Sequence, residues 1–145
     1  MGFAGGSVVS DSLLLKPLGL VRSSLKDRAL APRQGDEGAP EASIEIEEAF
    51  LPALSGVVAG DDLIVVTWFH QAKRDTLRVH PRGDVSLPLS GVFATRSPDR
   101  PNPLGLHRVT VRRIEGRTIV VAPLEAIDGT PVVDLKPVLE RVNDA

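Results

Sequence analysis

Nowhere in this chain do apolar residues recur at a helical period over ten residues or more. They come instead in short runs rich in valine, isoleucine and threonine, set apart by glycine and proline. β-Branched side chains are stiff about χ1 and suit a pleated surface better than a helix. A chain patterned this way is built mainly from strands.

Leu18–Arg22 reads as a first strand. Ala42–Glu47, "ASIEIE", alternates apolar and polar residues as a half-buried strand does. Leu63–Phe69, "LIVVTWF", is nearly all apolar and predicts a strand buried on both faces. Thr76–His80 and Gly91–Thr95 are short candidates. Val109–Ile114 and Thr118–Pro123 flank "EGR", a hairpin turn centred on Gly116. Val132–Lys136 is the last strand. Phe50–Leu54 predicts one helical turn, and Val138–Val142 a short helix. The expected fold is mainly β: a single closed or nearly closed antiparallel or mixed β barrel with one or two short helices, since closure removes unpaired strand edges. Leu63, Ile64, Val65, Val66, Val109, Val111, Ile119, Val120 and Val121 form the expected core. Residues 1–14, rich in glycine and serine, read as a loose tail, and residues 15–145 as one domain.

Other features bound the function. No apolar run approaches the roughly 20 residues of a membrane span, and "SLLLKPLGLV" is broken by Lys16 and Pro17. The N-terminus lacks a basic region ahead of a long apolar stretch, so no secretory signal is expected. There is no cysteine, which excludes disulfides and thiolate metal sites and fits a cytoplasmic location. His70, His80 and His107 are isolated without metal-ligand spacing, so no metal is expected. The net charge of −2 hides an asymmetry: eight acidic and no basic residues from Asp36 to Asp62, nine basic against three acidic from Lys73 to Arg113. Gathered on one face, the basic surplus would attract a polyanion; spread over solvated strands, it would not.

Four stretches stand out. "RSPDRPNP" places Pro98, Pro101 and Pro103 among Arg96, Arg100 and Asn102. Each proline fixes its own φ and pushes the residue before it towards extended backbone, so the segment is a stiff loop. Arginine carries a planar fork of donors for carboxylate or phosphate, and asparagine a donor and an acceptor. A rigid connector and a binding loop both fit these residues. "AIDGTPVVDLKP" contains Asp128-Gly129, a strong turn signal; it serves either as a plain turn or as a cradle of backbone amides with Asp128 or Thr130 presenting polar atoms. "APRQ" spans Ala31–Gln34. In "WFHQ", an apolar strand ends in an indole and an imidazole at Trp68 and His70.

These stretches, in this order, together with "HPRGD" and the longer "GVFATRSPDRPNPLGL", make the chain resemble the TsaA-like β-barrel family, also called the TrmO family of tRNA methyltransferases. The resemblance covers about residues 15–138. It implies a single barrel unlike the Rossmann-like sheet of most methyltransferases, a homodimer, and S-adenosylmethionine-dependent methylation of the adenine amine of threonylcarbamoyladenosine beside the tRNA anticodon. The family's cofactor positions fall on Pro32, Arg33 and Gln34; on His70 and Gln71; on Arg96; on Leu106; and on Asp128, Gly129, Thr130 and Pro131. The family's closing Lys-Pro-Tyr reads Lys136-Pro137-Val138 here, without the phenol.

Methyl transfer is an in-line displacement, and alignment alone is worth on the order of 7–11 kcal/mol. The adenine amine is a weak nucleophile because its lone pair is delocalised. Asn102 is the candidate to orient it, with His70 or Asp128 to receive the proton. Arg100, Arg108, Arg112 and Lys136 are the candidates for the RNA backbone. Two rival readings are a cofactor-binding barrel with a small, non-RNA acceptor and a non-catalytic nucleic-acid-binding barrel. The second is disfavoured by one Trp, four Phe and no Tyr, because single-strand binders stack bases on aromatics.

Overall fold

The computed structural model describes residues 12–26 and 40–139. Six strands close a barrel: β1 (Gly19–Arg22), β2 (Ala42–Ile46), β3 (Asp62–Trp68), β6 (Leu104–Glu115), β7 (Thr118–Ala122) and β8 (Pro131–Pro137). Two short strands, β4 (Arg78–Val79) and β5 (Ser90–Gly91), form a separate ribbon within the excursion between β3 and β6. The barrel order is β1-β2-β7-β6-β3-β8, closed by β8 against β1, and every pairing is antiparallel.

The core follows from the period of two along each strand. Val21 of β1, Ile44 of β2, Val65 of β3, Val109 and Val111 of β6, Ile119 and Val121 of β7, and Val132 of β8 all point into the barrel and are sealed from solvent. At about 1.5–3 kcal/mol for each buried aliphatic side chain, this aliphatic interior supplies the driving force that so few aromatics cannot. Phe50 and Leu54 pack against it from the 3-10 segment Glu48–Leu54, where a single helical turn was expected.

Three expectations need correction. Leu63–Phe69 is not buried on both faces: Leu63, Val65 and Thr67 point inward, while Ile64 and Val66 are only partly covered on the barrel exterior. A closed barrel gives every strand one inner face, so an unbroken apolar run does not make a doubly covered strand. Gly91–Thr95 is strand only at its start, and Val92–Ala94 turns into a 3-10 segment. Val138 and Leu139 carry no helix, and the remainder of Val138–Val142 lies outside the described residues, as do residues 1–11 of the expected tail.

The hairpin at Gly116 forms as expected. Glu115 pairs with Thr118, and Gly116 takes a φ of 61° that a side chain would resist. Two bulges mark the sheet. The β6–β7 register shifts between Val111 and Arg113, setting Arg112 out of the ladder, and the β3–β8 register shifts between Val66 and Thr67. The second lies where β3 runs out towards the long excursion, a common place for a bulge to re-aim a strand.

Candidate functional site

A groove of ≈ 2080 Å³ opens where β3 ends, β6 begins and the β7–β8 connection starts, and it continues over the outward face of β6. His70, Gln71, Arg96, Arg100, Asn102, Leu106, Arg108 and Thr130 all line it. It therefore gathers three of the four stretches that stand out in the sequence. Asp128 does not line it but faces a separate polar depression of ≈ 500 Å³ with Arg22, Ser23 and Lys26. Pro32, Arg33 and Gln34 lie outside the described residues.

The proline segment is held by more than its prolines. The Lys73 amide donates to Asp99 Oδ1 at 2.9 Å, and the Arg100 amide donates to the Lys73 carbonyl at 3.1 Å. Arg74 donates through Nε to the Pro101 carbonyl at 2.8 Å and through Nη2 to Asn102 Oδ1 at 3.1 Å, while its guanidinium sits 5.0 Å from the centre of the Trp68 ring. The Phe69 amide donates to the Pro103 carbonyl at 2.8 Å, and Pro103 itself is fully buried. Thus the turn after β3 and the approach to β6 are one hydrogen-bonded unit.

Within that unit the two arginines differ. Arg100 Nη1 donates to the carbonyls of Thr95 and Ser97, both at 3.0 Å. Through Nη1 it therefore bridges the loop internally while it lines the groove. Arg96 stands exposed on the groove, with no partner among the described residues.

The Asp128–Pro131 turn is spent inside the fold. The amides of Asp128, Gly129 and Thr130 donate to the carbonyls of Leu25 (2.6 Å), Val21 (2.7 Å) and Ile127 (3.2 Å), and Pro131 has no amide hydrogen. The Thr130 hydroxyl also donates to the Ile127 carbonyl, at 2.7 Å. No cradle of free amides is left there. Gly129 takes a φ of 84°, which is why glycine follows Asp128. Asp128 accepts the Ser23 amide at 3.0 Å and pairs with Lys26 at 3.0 Å. The Ser23 amide first, then Lys26, holds the Asp128 carboxyl below its ordinary pKa. A carboxylate bound this way is a poor proton acceptor, which weighs against the expected catalytic role. The turn anchors the exit of β1 from Val21 to Lys26.

Sequence reasoning passed over His107 as an isolated histidine. It is fully buried, with Nδ1 2.6 Å from Glu125 Oε1 and Nε2 2.7 Å from Thr67 Oγ1, and the edge of its ring meets Phe69 at a centroid distance of 5.8 Å. The signal was present: Gly105, His107, Val109 and Val111 share one face of β6, so the imidazole had to point inward and find partners.

The other cations lie on the barrel exterior. Arg108 and Lys136 flank Ile64, which pairs with both across neighbouring strands. Arg108 sits 3.5 Å from Asp62, and Lys136 sits 3.1 Å from Asp134. The Thr110 hydroxyl foremost, and Arg108 after it, keep the Asp62 carboxyl below its ordinary pKa. Arg112 projects from the bulge. Among the described residues no group of three or more His, Asp or Glu side chains is placed to hold a metal ion, and no helix is long and apolar enough to cross a membrane.

The sequence profile of the tRNA-methyltransferase O N-terminal domain matches residues 20–144. An S-adenosyl-L-methionine-binding protein of Archaeoglobus fulgidus is 40% identical over 134 residues, covering 90% of this chain and 95% of the relative. A probable S-adenosyl-L-methionine-binding protein of Methanothermobacter thermautotrophicus is 41% identical over 129 residues, covering 89% and 92%. The crystal structure of TrmO from Pseudomonas aeruginosa superposes with a TM-score of 0.71 at 30% identity, covering 96% of this chain. This chain spans 62% of that protein's length.

Proposed function

The chain belongs to the family of the tRNA-methyltransferase O N-terminal domain, and on that premise we propose that it is an S-adenosylmethionine-dependent methyltransferase acting on the adenine amine of threonylcarbamoyladenosine in the tRNA anticodon loop. The observation that carries the reading is the rigid unit of Arg74, Arg100 and the three prolines, which brings Asn102 and the exposed Arg96 to the same groove as His70 and Gln71. The relatives named as S-adenosylmethionine-binding proteins over nearly their whole length support the choice of cofactor.

The groove suits that cofactor. Leu104 and Leu106 present exposed aliphatic surface for a nucleoside, and the exposed Arg96 guanidinium matches an amino-acid carboxylate. When bound, S-adenosylmethionine supplies a sulfonium methyl group. The protein's part is to hold the acceptor nitrogen in line with it and to exclude drift, which is the service a hydrogen-bonded, proline-stiffened loop provides. Asn102 has its Oδ1 bound by Arg74, so what it can offer a ligand is its Nδ2 donors. In this reading it orients the base through an acceptor atom of the ring rather than through the amine hydrogen. Exposed Phe93, Leu77 and Leu89 on the excursion that lines the groove fit a homodimer that completes the site in the cytoplasm.

Calorimetry with S-adenosylmethionine, followed by mass spectrometry of nucleosides from tRNA incubated with protein and cofactor, tests the reading. Micromolar uptake and a 14-dalton gain on threonylcarbamoyladenosine are expected. Uptake without that gain would move the acceptor to another molecule, and no uptake would end the proposal.

A further inference from the structure

We propose that Glu125 takes the proton released by the acceptor nitrogen, and that buried His107 and Thr67 hold its carboxylate in place for that task. The inference rests on the methyltransferase reading above and names a residue for it.

The chemistry asks for a base. The acceptor nitrogen carries one hydrogen and shares its lone pair with the adenine ring and the carbamoyl group. As the nitrogen lone pair forms the new N–C bond, the S–C bond of the donor breaks with its electrons remaining on sulfur. The N–H proton must then leave. A neutral amide can orient such a group but cannot keep its proton, so Asn102 is insufficient.

The groove contains few alternatives. Asp128 faces the other depression and is tied to Ser23 and Lys26. Asp62 is bound by Thr110 and Arg108, and Asp99 by the Lys73 amide. His70 is exposed, and no described residue fixes its ring; among the described residues His80 is held by its own loop, with Nδ1 2.8 Å from the Leu87 carbonyl, and not by the barrel. Glu125 differs from all of these. It lines the groove, its side chain is 16% exposed, and Oε1 is 2.6 Å from Nδ1 of a ring whose own exposure is 1%. With hydrogen on His107 Nδ1 and the lone pair on Nε2, the ring donates to Glu125 and accepts the Thr67 hydroxyl, so each polar atom of the ring is used. The strands carrying Thr67 and His107 are directly paired across the β3–β6 ladder, which makes the support rigid. Among the described residues only Oε1 of Glu125 is bonded, which leaves Oε2 for a group in the groove. General-base help of this kind is worth about 10²–10⁴ in rate.

Glu125→Gln is the discriminating variant, because the amide oxygen still accepts from His107 and a purely structural role would survive. Full-length protein would be assayed in single turnovers on tRNA bearing threonylcarbamoyladenosine, with cofactor affinity measured by calorimetry and the His107 ring followed by ¹⁵N NMR. The expected result is a rate loss of about 100-fold or more with cofactor affinity within about threefold of wild type and an unchanged Nδ1-protonated ring. Single-turnover rates within about threefold of wild type would overturn the role of Glu125 and leave the methyltransferase reading standing. A wild-type protein that binds no cofactor would overturn both. Should Glu125→Gln fold poorly, His107→Asn, which keeps an N–H near the Nδ1 position, is compared with His107→Leu, which does not. The asparagine variant is expected to be at least about tenfold faster, and equal rates would overturn the role.

Discussion

Arg74 holds Asn102: its Nη2 donates to Asn102 Oδ1 at 3.1 Å while its Nε holds the Pro101 carbonyl and its plane lies over Trp68. Planarity, charge and two donors are used at once, so lysine cannot replace it. Arg74→Lys is expected to reduce methyl transfer about tenfold, equivalent to about 1.4 kcal/mol of lost positioning. Trp68 is the chain's single tryptophan, so its emission should shift in the same variant. Unchanged emission together with unchanged turnover would remove Arg74 from the description of the loop.

Gly105 begins the inward face of β6 directly beneath Phe69. A Cβ there would lie 2.6 Å from Thr67 Oγ1 and 2.7 Å from Phe69 Cε2. Phe69 is itself packed edge-on against His107, so it has little freedom to yield. Overpacking of this kind costs about 1–3 kcal/mol. Gly105→Ala is expected to lower the thermal midpoint by roughly 3–10 °C. It should also disturb the hydrogen-bond chain from Thr67 through His107 to Glu125, visible as a changed His107 ring resonance.

How far the sequence carries depends on the range of the forces involved. Period-two alternation and β-branching act within a strand, so the β2, β6 and β7 stretches and the Gly116 turn are legible residue by residue. Barrel closure is legible only as a preference for avoiding edges. Which face of Leu63–Phe69 turns inward is settled by neighbours far along the chain, and Ile64 and Val66 were misassigned for that reason. The site shows the same division. The stiffness of the proline segment is local and readable. The partners of Arg74 and Asp128, which decide whether each group binds a ligand or the fold itself, come from other segments, whereas Arg100 turns back on its own loop. His107 and Glu125 stand 18 residues apart and meet only across the barrel end.

Asp128 makes stability depend on pH in a definite direction. Its folded pKa is depressed, by the Ser23 amide first and by Lys26 next. The ionised form therefore contributes stability above the unfolded carboxyl pKa, about 3.9, and that contribution is lost as pH falls through the lower folded value. Asp128→Asn should be less stable than wild type at pH 7. The gap should narrow in steps from pH 5 to pH 3 as the wild type loses its advantage. Urea denaturation at each pH measures the gap, and a gap independent of pH would show that the carboxylate charge is irrelevant to the β1 exit.

Arg108 and Lys136 offer a test of where a polyanion would lie. They stand on either side of Ile64 on the outer wall, each beside a carboxylate, Asp62 and Asp134. Exposed pairs of this sort are worth about 0–1 kcal/mol, so an arriving phosphate can take the cation at little cost. Each phosphate contact contributes about 0.7 to the slope of log affinity against log salt for a single-stranded loop. Changing both Arg108 and Lys136 to alanine is expected to flatten that slope by about 1.4 and to weaken tRNA binding. Asp134→Asn should act oppositely, strengthening binding a few-fold by releasing Lys136. If the double variant keeps the wild-type slope, the outer wall of β3, β6 and β8 is not the RNA-binding face, and the phosphates would have to lie along the excursion between β3 and β6.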